Sequence, residues 1–358
     1  MNTVGVTVPL LRPIEIPSPV QGLRALWSSD LAMDLGTANT LMYMRHRGIV
    51  LNEPSVVAVD DESGKVLAVG HLAKEMFGKT ASSVRCVRPM KDGVIADFEK
   101  TALMIDYMLR RVRRRVSLRR PRIVIGVPSG ITQVEKRAVI DAAIAAGIAE
   151  VFLVEEPMAA ALGTGLPVDR AVGNMIIDIG GGTTEVAIIS MSGTLYSHSI
   201  RVAGDEMDEA IQRQLKKLFG LQIGIFEAER IKMIIGSALP IGKPRTITVC
   251  GRDVQSGIPR QMEVGDDVIR EALHEPLSAI IASVVTALEQ TSPELAHDIA
   301  ARGIWLAGGG ALLKGLGERL HRETGVRFQR AADPLSAVVR GVGMVVENLK
   351  EMRVLCIN

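Results

Sequence analysis

The sequence predicts an α/β protein built as two lobes, and three observations carry that expectation. Short apolar strand patterns alternate with longer helical periods along most of the chain, as in a sheet covered by helices. Two distant stretches share one layout: an apolar run, Asp, one apolar residue, Gly, a Thr-bearing turn, a second apolar run and a glycine turn. Asp34 precedes Gly48 by 14 residues, and Asp178 precedes Gly193 by 15, which reads as a degenerate internal duplication. The 358 residues also suit two units of about 100–200 residues each.

Taken in order, residues 31–44 read as strand, polar turn and strand, and 45–48 as a turn before more strand over 49–60. Residues 98–116 put Ile105, Met108, Leu109, Val112 and Val116 on one helical face. Residues 123–127 form a buried-strand pattern. Thr132 and Glu135 form a capping box for a helix that runs to Ala146 and stops at Gly147. Residues 151–154 read as strand. Glu156-Pro157 then opens a helix, because proline is tolerated at the first helical position. The second block repeats the layout, with strands over 175–189 and 194–202 around a turn at 190–193. Helices follow near 205–219, 225–235, 267–290 and 310–324.

Hydrophobic residues make up 47% and charged residues 23%, unlike disordered, collagenous or coiled-coil chains. A net charge of +2 exerts no bulk pull on nucleic acid. Cys86, Cys250 and Cys356 lie far apart with no CxxC or Cys/His cluster, so a zinc site or disulfide framework is not expected and a reducing cytoplasm is. No apolar run reaches the ~18–20 residues of a membrane span. Residues 1–19 lack the charge and apolar pattern of a signal peptide. With Pro9, Pro13, Pro17 and Pro19 they read as an extended tail.

The two turns carry the chemistry. Glycine lets backbone N–H groups approach a phosphate, and Thr hydroxyls add donors. Asp34 and Asp178 would repel phosphate directly, so they point instead to Mg²⁺ held through water. One such turn could be an ordinary β-turn; two in a duplicated frame favour a ligand. Gly308, Gly309 and Gly310 follow a strand pattern and precede a helical one, where a plain turn needs one glycine. Glu229 and Lys232 share one helix face, a spacing common in solvated ion pairs.

Other patterns fail on spacing. Gly78-Lys79-Thr80 ends like a phosphate-binding loop, but Ala73 occupies the position of the earlier glycine. Gly126-Val-Pro-Ser-Gly130 puts two residues between its first glycine and its serine, one too many for a nucleophile elbow. Residues 110–122 hold eight arginines. Aromatic residues are only 3% of the chain, which argues against a base-stacking platform. Val116 and Leu118 amid that charge suit an anionic membrane surface. Leu23, Leu26 and Trp27 form a second short apolar face, beside Arg24.

Asp34-Leu-Gly-Thr37, Asp178-Ile-Gly-Gly-Gly-Thr183 and Gly308-Gly-Gly310 together resemble the actin, sugar-kinase and DnaK-type ATPase superfamily. Leu51-Asn-Glu-Pro-Ser-Val56, Met90-Lys-Asp-Gly-Val-Ile-Ala-Asp97 and Val154-Glu-Glu-Pro-Met-Ala-Ala-Ala161 narrow the resemblance to the MreB family of bacterial actin-like proteins, from about residue 31 onward. The resemblance implies a two-lobed actin-like fold with duplicated RNase-H-like subdomains and two smaller inserted ones. The implied layout is a tail with a candidate membrane segment over 1–30, a first lobe over 31–173 and a second over 174–334. Small subdomains fall at about 57–88 and 205–266, and 335–358 returns to the first lobe.

It also implies ATP and Mg²⁺ in the cleft. Gly36, Thr37 and Asn39 would hold the terminal phosphates from one lobe, and Gly180, Gly181, Gly182 and Thr183 from the other. Asp34 and Asp178 would organise the metal and its waters. Glu156 falls at the superfamily's water-positioning place, so the implied catalytic residues are Glu156, Asp178 and Thr183. Glu229 and Lys232 match the pair contacting the nucleoside, and Gly308, Gly309 and Gly310 would lie against the adenosine. Ile225 and Phe226 stand where relatives carry smaller or more polar residues.

The implied function is an ATP-dependent filament of identical copies at the inner face of the cytoplasmic membrane, organising cell-wall synthesis with the elongation machinery and determining rod shape. Slow ATP hydrolysis would accompany polymerisation, with no nucleic-acid partner. Either 23–27 or 116–120 would attach to the membrane. The alternatives are a monomeric sugar or small-molecule kinase and a chaperone ATPase. Against the chaperone, little chain follows the second lobe to carry a peptide-binding domain.

Overall fold

The computed structural model describes residues 30–112, 120–240 and 242–358. The tail with Leu23, Leu26 and Trp27, and the loop with Val116 and Leu118, lie outside the described residues.

The first lobe opens with strands β1 (Leu31–Leu35), β2 (Asn39–Met44) and β3 (Gly48–Pro54). Strands β4 (Val57–Asp60) and β5 (Val66–Val69), helix α1 (His71–Met76) and β6 (Val84–Val87) follow. Next come β7 (Met90–Lys91), β8 (Val94–Ile95), α2 (Phe98–Val112), β9 (Arg122–Val127), α3 (Gln133–Ala145) and β10 (Glu150–Glu155). Helix α4 (Glu156–Gly163) leads to β11 (Asn174–Ile179), β12 (Thr184–Ser190) and β13 (Gly193–Ile200). Then come α5 (Gly204–Phe219), β14 (Leu221–Gln222), α6 (Ile225–Ile235), β15 (Thr246–Asp253) and β16 (Pro259–Gly265). The chain continues with α7 (Asp266–Glu289), α8 (Pro293–Arg302), β17 (Ile304–Ala307), α9 (Leu316–Thr324), β18 (Phe328–Arg330) and α10 (Ala337–Glu347).

The duplication is visible in the sheets. One has the order β3-β2-β1-β9-β10 and the other β13-β12-β11-β17-β18. In each, three antiparallel strands continue into two parallel ones. Small sheets β5-β4-β6 and β14-β15-β16 are separate from them. The expected strand over 49–60 divides between two sheets, because Pro54 ends β3 and Ser55 turns the chain, its N–H bonding Ala38 O. The turn at 190–193 places its left-handed residues at Met191 (φ 50°) and Ser192 (φ 61°) rather than at Gly193.

Each large sheet has its own apolar core. Met33, Ile105, Met108 and Ile125 anchor the first, and Ile177, Ile211, Leu273 and Ile280 the second. A third core joins the sheets at their base, where Ala32 and Val124 meet Ile176 and Ala187 through α4 and α10. A Cβ on Gly341 would stand 1.8 Å from Ala159 O, so these two helices touch backbone to backbone. Helix α7 is long and apolar enough to cross a membrane, but Ile269, Leu273, Leu277 and Val284 bury one face of it in the second-lobe core. The expected helix over 310–324 is a single 3-10 turn at Gly309–Leu312 followed by α9, because Gly315 turns left-handed at φ 73° between them.

Candidate functional site

The two polar turns meet between the sheets. Strand β1 delivers Asp34 to the turn at Gly36, Thr37 and Ala38, and β11 delivers Asp178 to the turn at Gly180–Thr183. The Gly180 N–H closes its turn on Thr183 O at 2.9 Å. A Cβ on Gly181 would stand 2.7 Å from Ala38 Cβ, and one on Gly182 2.7 Å from Thr37 Oγ1. Glycine at both positions therefore lets the turns of opposite lobes touch. Thr37 Oγ1 accepts the Gly93 N–H at 3.0 Å, which leaves the hydroxyl proton free to donate. Asn39 begins β2 and is half-buried.

Four carboxyls converge beneath the turns. Asp34 is in register with Gly126 of β9, and Asp178 with Glu185 of β12. Glu156 is the first residue of α4, and its Cγ lies 3.5 Å from where a Cβ on Gly126 would stand. Glu156 therefore lies over the partner of Asp34. Burial pushes the Asp34 carboxyl up to about 7. Burial first, then the charges of Asp34 and Glu185, raises Asp178 to about 8. Burial and the same neighbours drive Glu156 well above the usual carboxyl range. Glu185 is raised by burial, against the opposing pull of the Ser199 hydroxyl and the Ser129 N–H. Those two groups donate to it at 2.5 and 3.0 Å.

Like-charged carboxyls in a dry site favour either protons or a cation. Asp178 Oδ1 is buried without a hydrogen-bond partner, and its donor set of hard oxygens fits Mg²⁺. Among the described residues, no three His, Cys, Asp or Glu side chains converge into a metal cage. Mg²⁺ suits such a site, since it keeps several waters and takes one or two carboxylates plus phosphate oxygens.

The glycine run sits against Asp178. A Cβ on Gly308 would stand 2.3 Å from Asp178 Oδ1, and one on Gly310 2.2 Å from Ile179 Cγ2. Close approach to the end of β11 thus accounts for two of the three glycines, and Gly309 is exposed. Glu229 and Lys232 do not pair with each other. Lys232 bonds Asp208 at 2.8 Å and Gly204 O at 2.7 Å. Glu229 meets Lys74 of α1 at 2.5 Å, across from the first lobe. Ala38, Pro54, Val56, Lys74, Arg88, Asp205, Phe226 and Glu229 line the pocket there.

Glu185 and Arg88 are the site residues that the sequence reading passes over. Glu185 stands in a strand whose every residue is buried, and a charge directly before the apolar run 186–189 is its signal. Arg88 reaches Asp205 at 2.7 Å and Thr37 O at 3.3 Å. Nothing local in the sequence marks that second-lobe contact.

Comparison with known proteins places this architecture. The family described as MreB/Mbl protein matches residues 28–354. The cell shape-determining protein MreB of Escherichia coli (strain K12) is 52% identical over 329 residues, covering 90% of this chain and 95% of that protein. The cell shape-determining protein Mbl of Bacillus subtilis (strain 168) is 42% identical over 327 residues, covering 91% and 98%. The crystal structure of MreB 5 of Spiroplasma citri bound to AMPPNP superposes with a TM-score of 0.86 at 36% identity, covering 90% of this chain and 96% of that one. An actin-like ATPase fold with two turns meeting in one cleft, matched by these relatives over nearly their full length, shows that the chain belongs to the MreB/Mbl family.

Proposed function

We propose that this chain is an ATP-dependent actin-like cytoskeletal protein whose copies assemble into filaments that determine rod shape. The observation that carries the reading is the meeting of two Asp-bearing turns from two sheets of one topology. Cell shape-determining relatives support the cytoskeletal role over the sugar or small-molecule kinase. The AMPPNP bound to the Spiroplasma citri relative supports a nucleotide in this cleft.

When bound, Mg²⁺ neutralises phosphate charge and polarises the transferring phosphoryl group. Asp34 and Asp178 seat the ion and its waters. Gly36, Thr37 and Asn39 hold the terminal phosphates from the first lobe, and Gly181, Gly182 and Thr183 from the second, with Gly180 closing the turn. Glu156, half-buried at the start of α4, orients the attacking water. Glu229 and Lys232 face the nucleoside, with Glu229 sharing its carboxylate with Lys74, and Gly308, Gly309 and Gly310 lie along the adenosine. The lobes are read as 31–173 and 174–334, with 335–358 returning to the first. That division keeps each large sheet whole, and α10 packs on β1 and β9.

The proposed location is the inner face of the cytoplasmic membrane, with the cell-wall elongation machinery as partner. The sequence patterns at 23–27 and 110–122 support membrane contact. Electron microscopy and pelleting with Mg·ATP test the reading. Nucleotide-dependent filaments are expected; a non-assembling monomer that phosphorylates a sugar would overturn it.

A further inference from the structure

We propose that Phe226, together with Lys74, forms a latch that holds the two lobes closed and slows the escape of nucleotide. The release part rests on the nucleotide reading above; the closure part does not.

The geometry is cross-lobe and apolar. The small sheet β5-β4-β6 has a very small core of its own, Val56, Ala58, Ala68 and Ala73, with Met76, Phe77, Val84 and Cys86 around it. Phe226, from α6 of the other lobe, packs against this same core. Its ring meets Phe77 edge to face, with centroids 5.1 Å apart and planes at 77°. Lys74 Nζ stands 4.6 Å above the Phe226 ring and 2.5 Å from Glu229. One ammonium group is therefore held by a ring and a carboxylate that both belong to the opposite lobe. Arg88 and Asp205 add a second ion pair across the same gap.

Opening the cleft must break these contacts together. Phe226 would leave the apolar socket for water, and Lys74 would lose the ring and the carboxylate in one movement. The base of the molecule cannot substitute for this latch. The core there, around Ala32, Val124, Ile176 and α10, joins the two large sheets and includes neither Phe226 nor the small sheet. The pocket runs from the turn residue Ala38 to Phe226 and Lys74, so the latch closes the end away from the two turns.

The test uses the full chain with two readouts. One is the release rate of Mg²⁺-bound N-methylanthraniloyl-ATP, chased with excess ATP. The other is the distance between spin labels at Leu67→Cys and Met233→Cys, both exposed, in a chain carrying Cys86→Ala, Cys250→Ser and Cys356→Ser. Phe226→Ser and Lys74→Ala should each shift the distances longer. Phe226→Ser should speed release roughly tenfold, the size expected from losing an aromatic pair and a cation–ring contact. Phe226→Tyr should preserve both readouts. Parental distances in Phe226→Ser, with a parental circular-dichroism spectrum, would overturn the latch. Longer distances with an unchanged release rate would overturn its role in retaining nucleotide. A parent chain that binds no labelled nucleotide would remove the nucleotide reading and the release role, while the distances still decide closure.

Discussion

Asp178 and Glu185 stand opposite each other in register on β11 and β12, with both residues buried at 6% and 1% exposure. Like charges opposed across a sheet are destabilising; here the Ser129 N–H and the Ser199 hydroxyl compensate on the Glu185 side. The first of these donors comes from the other lobe, so Glu185 also ties the lobes together below the turns. Removing its side chain strands a buried N–H. Glu185→Ala should therefore lower stability by ~1–3 kcal/mol, the cost of an unsatisfied buried donor. Glu185→Gln, which keeps an acceptor and sheds the charge, should lose clearly less. Urea unfolding of both variants measures this, and equal losses would contradict the assigned role.

The raised carboxyls set a pH dependence for the nucleotide-free chain. Asp34 and Asp178 rise on folding from the usual 3.8 to about 7 and about 8, so the folded state binds more protons than the unfolded one between those values. Their contribution is fully present below about 4 and is lost as pH climbs through about 8. The melting temperature should fall between pH 5 and pH 8.5, and Asp178→Asn should flatten that fall. A nucleotide-free parent that grows more stable over this range, with Asp178→Asn unchanged from it, would contradict the carboxyl cluster.

Glu156 is expected to act on water rather than on binding. Glu156→Ala should cut ATP turnover by roughly ten- to a thousandfold, the range of a positioning or base residue, with Mg·ATP affinity nearly intact. Turnover at the parental rate would leave Glu156 as a helix-opening residue only.

Much of this arrangement was legible in the sequence because it is local. The strand-turn-strand blocks around Asp34 and Asp178, the Thr132 capping box and the proline-led start of α4 are all set within a few residues. The helices α8 and α10 were not legible. Helix α10 carries two glycines, at 341 and 343, in an apolar run, and its helical state depends on packing against α4. Glu229 shows the same limit at the site. Its spacing suggests Lys232 as partner, yet it bonds Lys74, 155 residues away, because a partner across the cleft leaves no periodic trace.

The proposed membrane contact rests on the sequence patterns at 20–27 and in the basic loop. Replacing Leu23, Leu26 and Trp27 together by Ser should release filaments from anionic liposomes while leaving nucleotide binding alone. Attachment gains from repetition along a filament, so co-sedimentation should be strong for polymer and weak for monomer. If the triple variant sediments like the parent, the basic loop around Leu118 becomes the attachment site.

In the proposed function, the two aspartates at the paired turns seat one Mg²⁺-nucleotide between the lobes. Isothermal titration of Mg·ATP into the parent, Asp34→Ala and Asp178→Ala measures it directly. The parent should bind one nucleotide per chain, and each variant should bind at least about tenfold more weakly, a loss of about 1.4 kcal/mol. Unchanged Mg·ATP affinity in both variants would contradict the assignment of the cleft.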